Sequence, residues 1–112
     1  MEIIVLGDIY TPNSKLDAFV SENLAEMGLE PKFANSTDEF AAMDGYEAPH
    51  VLVIGSEWNW MLRDFEKYPV RPSFLFVQIS GEVPFGGRKF SVQKLREDGP
   101  LFQKHVRAWL KE

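Results

Sequence analysis

The chain has 112 residues, 12 Lys+Arg against 17 Asp+Glu, 45% hydrophobic residues, no Cys and a formal net charge of −5. That length carries one compact domain over 1–112, and the apolar share is too high for a disordered tail. The lack of Cys excludes disulfides, thiolate metal sites and a cysteine nucleophile, and the acidic balance argues against nucleic acid, whose phosphate backbone calls for clustered cations.

The chain opens with Met1-Glu2 and runs into Ile3-Ile4-Val5-Leu6, which Gly7-Asp8 ends. This run is too short to span a membrane and lacks the basic start of a secretory signal, so a cytoplasmic protein without membrane contact is expected. Its unbroken, mostly β-branched apolarity suits a strand covered on both faces. Leu16, Phe19, Val20, Leu24 and Met27 follow at helical spacing, with Gly28 as a stop. Lys32-Phe33-Ala34 behind Pro31 suits an edge strand. Ser36 and Glu39 form a capping-box pattern for a short helix through Phe40 and Met43, ended by Gly45.

Residues 51–54 and 74–77, the latter extendable to Ile79, repeat the character of the first run. Between them Trp58, Met61, Leu62 and Phe65 have helical spacing. The stretch 82–92 allows two readings. One is a hairpin turning at Gly86-Gly87; the other is a loop delivering a helix over 88–97, which the alternating architecture favours. Asp98-Gly99-Pro100 then prepares a helix whose stripe is Phe102, Val106, Trp109 and Leu110. The order predicts a three-layer α/β sandwich with right-handed crossovers and a central, mostly parallel sheet of four to five strands. No fifth apolar run is visible.

In such sheets ligands bind outside the carboxyl ends of the strands, at the point where the strand order reverses. Three loops are therefore of interest. In the first, Thr11, Asn13 and Ser14 can donate to an anion beside a helix start, whereas Asp8 repels one; helix capping by Asn13 or Ser14 is the plain alternative. The second carries Trp58, Asn59 and Trp60, whose indoles offer flat faces to a small planar ligand. Trp58 also falls on a core-facing stripe, which leaves Trp60 for stacking. In the third, Gly81, Gly86 and Gly87 let backbone approach a ligand closely.

Together these loops resemble those of flavodoxin-like flavoproteins, in particular the small NAD(P)H-dependent FMN reductases and quinone reductases. Ser56-Glu57-Trp58-Asn59 is similar to that family's Pro-Glu-Tyr-Asn loop at Glu57 and Asn59. Ser80-Gly81 and Gly86-Gly87 look like its Ser-Gly and Gly-Gly elements. The resemblance implies an FMN-dependent oxidoreductase with NAD(P)H as electron donor. Thr11, Asn13 and Ser14 would hold the phosphate, and Trp58, Asn59, Trp60, Gly81, Gly86 and Gly87 would surround the ring. No catalytic residue is assigned, because flavin chemistry belongs to the cofactor.

The chain also departs from the family. Tyr10 stands where Arg is usual, Asp8 replaces a neutral residue, and Met61-Leu62-Arg63-Asp64 replaces Ser-x-Pro-Gly. These departures keep two alternatives open: a flavodoxin-like protein-interaction module without flavin, and a domain binding a nucleotide or sugar phosphate.

Other chemistries lack their residues. His50 and His105 are far apart and show no metal-ligand spacing. There is no Gly-x-Ser-x-Gly elbow and no Gly-Lys-Ser/Thr phosphate loop. A phosphoacceptor receiver would need an Asp where Gly55-Ser56 stands and a Lys where Ser80 stands. The terminal helix sets Lys104, Arg107 and Lys111 beside its apolar stripe, a combination suited to packing on the sheet or to a protein or homo-oligomer contact.

Overall fold

In a computed structural model the chain forms a single parallel sheet with helices on both sides. The structure describes residues 1–7, 14–54, 72–78, 88–92, 94 and 96–112. In chain order these give β1 (Glu2–Leu6), α1 (Ser14–Glu26), β2 (Glu30–Ala34), α2 (Thr37–Ala42), a 3-10 turn (Gly45–Glu47), β3 (His50–Ile54), β4 (Ser73–Gln78), β5 (Arg88–Ser91) and α3 (Gly99–Leu110). The strand order is β2-β1-β3-β4-β5 and every pairing is parallel. This is the flavodoxin-like doubly wound arrangement, as the alternation of elements predicts.

The two sides of the sheet bury different residues because successive side chains of a strand point to opposite faces. On one face Ile3, Val5, Leu52, Ile54, Leu75, Val77 and Phe90 pack with Leu16, Phe19, Val20 and Leu24 of α1 and with Phe102, Val106 and Trp109 of α3. On the other, Leu6, Val51, Val53, Phe74 and Phe76 cluster with Phe40 of α2. Strands buried on both faces need the continuous apolar runs that the sequence shows. Phe102 joins three elements. Its ring centroid lies 5.2 Å from that of Phe19 in α1 and 5.3 Å from that of Phe90 in β5.

The helix ends follow their local chemistry. Gly28 adopts φ +76 behind α1, a conformation glycine takes without the steric cost other residues meet. Its N–H donates to Ala25 O at 3.0 Å and that of Leu29 to Leu24 O at 2.9 Å, which turns the chain into β2. α3 begins at Gly99 with Pro100 in its first turn, where a missing N–H costs nothing.

The stretch ending at Val92 corrects both readings of it. Residues 88–91 form neither a helix nor an antiparallel hairpin arm but β5, whose register on β4 sets Leu75 opposite Arg88 and Val77 opposite Phe90. β5 is an edge strand, so one buried face suffices. Phe90 and Val92 supply that face, at 3% and 2% exposure, while Ser91 between them is exposed. The helix expected around Trp58–Phe65 lies outside the described residues. No helix among those described is long and apolar enough to cross a membrane.

Candidate functional site

The strand order reverses at β1. The chain leaves β1 for β2 on one side and returns to β3 on the other, and in doubly wound sheets the ligand crevice is expected beyond the carboxyl ends of the strands that flank such a reversal, here β1 and β3. The strand ends that frame it are neighbours. Leu6 pairs in register with Val53, and Ile54 with Val77 of β4. The loops expected to carry a ligand thus depart from three adjacent strands.

β1 runs out into Gly7, whose N–H donates to Ala34 O at 2.9 Å and extends the β1–β2 contact by one residue. Among the described residues, a Cβ built on Gly7 would meet nothing closer than Asn35 Oδ1 at 3.8 Å and Ala34 O at 3.9 Å. Those are ordinary contacts, so packing against the described residues does not require glycine here.

The neighbouring corner between β2 and α2 is closed on itself. Ser36 Oγ accepts from Glu39 N at 3.1 Å, and Glu39 Oε2 accepts from Asn35 N at 2.7 Å. This is the capping box that the sequence predicts, with the Glu reaching one residue further back than usual. Both side chains are occupied in capping the start of α2.

Of the residues expected to bind a ligand, Thr11, Asn13, Trp58, Asn59, Trp60, Gly81, Gly86 and Gly87 lie outside the described residues. Ser14 is described only as the first residue of α1. Asp17, which the sequence reading passed over, sits half-buried in the first turn of the same helix. Burial raises its carboxyl above the usual aspartate value, because desolvation disfavours the charged form. An acid in a first helical turn is so common a surface feature that sequence gave no cue to its burial.

Both imidazoles stand elsewhere. His50 opens β3 at the amino edge, with its ring edge-on to Trp109 at a centroid distance of 5.1 Å. His105 lies in α3 against Phe90 at 5.0 Å. Among the described residues no group of three or more His, Cys, Asp or Glu gathers as a metal cluster would.

A second concavity, of about 820 Å³, lies on the helical surface between α1 and α3. Its floor is a polar clasp. Gln103 Nε2 donates to Asn23 Oδ1 at 2.9 Å and to Glu26 Oε2 at 2.7 Å, and Asn23 Nδ2 donates to Phe19 O at 2.8 Å. Asn23 is 9% exposed, so these bonds satisfy a nearly buried amide. Gly99 lets the helices approach, since a Cβ there would stand 2.9 Å from Asn23 Oδ1. Lys15, Arg96 and Arg107 also line this cleft.

No protein-family model matches the chain, and no curated protein matches it. Among solved structures it is similar to a 3-dehydroquinate dehydratase-like protein from Bifidobacterium longum. The TM-score is 0.55 and the identity 18%, over 100% of this chain and 99% of that one. This likeness supports the shared fold along the whole length. It also corrects the expected kinship with FMN reductases and quinone reductases, and with it the reading as an FMN-dependent oxidoreductase, because the matched structure is described as dehydratase-like. The physical reason is plain. Glu57, Asn59, Ser80-Gly81 and Gly86-Gly87 are short signals on a frame that hosts many chemistries, so they carry little specificity. For the nucleotide or sugar-phosphate alternative the comparison offers only the common architecture.

Proposed function

We propose that the protein binds a small hydroxylated carboxylate in the crevice beyond β1 and β3 and acts on it as a dehydratase-like enzyme. The observation that carries the reading is the reversal of strand order at β1, which in doubly wound sheets is where ligands bind. Gly7 supports it, because packing against the described residues does not call for a glycine at the end of β1. The choice of substrate class rests on the whole-length likeness to a 3-dehydroquinate dehydratase-like protein.

Loss of water from 3-dehydroquinate converts a β-hydroxy ketone into a conjugated enone. The protein must then take a proton from the carbon beside the ketone and give one to the departing hydroxyl. Neither imidazole is placed to do so at this edge, since His50 is at the opposite end of β3 and His105 is in α3.

The test is calorimetric titration with 3-dehydroquinate, together with ultraviolet detection of the enone. The expected result is saturable binding with enone formation. Binding without enone would keep the site and remove the activity. Absence of binding up to millimolar substrate would overturn the reading.

A further inference from the structure

The two hydrophobic cores both stop short at the amino edge of the sheet. Ile4, Met43 and Ala48 are only partly buried against the core on the α2 face, and Leu110 is only partly buried against the core on the α1–α3 face. These four side chains meet around one pocket of about 170 Å³, whose apolar wall Ile3 and Pro49 complete. Met1 lines it too and, at 73% exposure, is the most exposed large hydrophobic side chain among the described residues. Filling this pocket would take apolar surface of both cores out of water, which is the main source of affinity for small ligands in such cavities.

Three polar side chains share the wall, Glu2, Lys32 and His50. Glu2 Oε2 lies 3.2 Å from Lys32 Nζ, and both side chains are about half exposed. Their charges offset each other. His50 is backed by Trp109, whose ring centroid is 5.1 Å from its own.

We infer that this pocket binds a neutral aromatic alcohol of one ring, a phenol by chemical class. Size sets the first limit. A protein cavity of about 150 Å³ takes benzene, so a pocket of 170 Å³ admits one ring and little more. The lining favours an aromatic ring over an aliphatic one. Met1 and Met43 bring thioethers, which adapt their shape and make favourable contacts with ring edges. Charge sets the last limit. An ionic ligand would be desolvated among apolar walls with no free counter-charge, because Glu2 and Lys32 already neutralise one another. A ring hydroxyl meets no such penalty, since Glu2 has a second carboxylate oxygen besides the one beside Lys32 to accept its proton. The pocket is at the opposite edge from the ligand site proposed above, and the inference stands independently of that site.

Fluorine NMR of para-fluorophenol titrated with the native protein tests it. The probe resonance should shift saturably in the millimolar range, and the methyl resonances of Met1 and Met43 should move with it. The anionic para-fluorobenzoate should bind at least tenfold more weakly. Ala48→Leu and Leu110→Trp each enlarge a side chain of the pocket wall, and each should weaken phenol binding at least tenfold. Circular dichroism and urea unfolding check that the variants are folded; should either fail to fold, the methionine methyls of the native chain still locate the probe. Lack of saturation at tens of millimolar phenol would overturn the inference. So would binding indifferent to both filling variants, binding that leaves the Met1 and Met43 methyls unmoved, or benzoate binding as tight as that of the phenol.

Discussion

At its amino edge the sheet is locked by side chains. Trp109 is fully buried, donates from Nε1 to Ser73 Oγ at 3.1 Å at the start of β4, and takes His50 edge-on at the start of β3. At the carboxyl edge β1 ends in a glycine whose missing side chain would touch its surroundings only lightly. The contrast teaches a division of labour within one sheet. The edge where strands begin is tied to the last turns of α3, and the proposed ligand site lies at the other edge, where the strands end.

The largest effect expected from breaking this arrangement comes from Trp109→Ala. It removes the largest fully buried side chain among the described residues and leaves Ser73 without its indole donor. A loss of about 3–5 kcal/mol is expected, read by urea unfolding. Gly99→Ala should come next, since its Cβ would press on Asn23 Oδ1 and part the Asn23–Gln103 clasp. Overpacking of this kind costs about 1–3 kcal/mol, and adding Asn23→Ala should recover part of it. Ser36→Ala removes the cap of α2 and should cost about 1 kcal/mol, with the sheet unchanged.

Asp17 sharpens the comparison through pH. Burial raises its carboxyl in the folded state, so the folded chain holds that proton more tightly than the unfolded chain does. Its contribution is most favourable below the ordinary aspartate range and is lost as pH rises through the raised value. The stability of Asp17→Asn relative to the native chain should therefore increase from acidic to neutral pH. Denaturant midpoints measured across that window check the sign, and a flat difference would show that the carboxyl is solvated. The smallest effect on folding belongs to Gly7→Ala, within about 0.5 kcal/mol. If the crevice is the site, the same change should weaken 3-dehydroquinate binding about tenfold, or about 1.4 kcal/mol.

Most of the architecture was legible because long-range burial leaves local marks. The runs at 3–6, 51–54 and 74–77 announce strands covered twice, and Ser36 with Glu39 announces a helix start that the structure reproduces. β5 was illegible for the converse reason. Arg88-Lys89-Phe90-Ser91 has one inward side chain, and what makes it a strand is the open edge of β4, a partner remote in sequence. Of the candidate site, only the strand order that points to it was legible, and not its chemistry. Parallel order and strand ends say where a ligand is expected in such a sheet, whereas identifying one needs the joint geometry of several loops. Short likenesses such as Glu57 and Asn59 do not supply that geometry, and they led to flavin. Asp17 escaped notice because its burial depends on tertiary packing around an otherwise ordinary first turn.

The central claim, that the crevice beyond β1 and β3 is the ligand site, is tested most directly by amide NMR during titration with 3-dehydroquinate. The account expects shift changes concentrated at Gly7, Asn35 and Ile54, with the Trp109 indole N–H at the far edge unmoved. Changes centred instead on Asn23, Gln103 and Gly99 between the helices, or at His50 and Trp109, would contradict it.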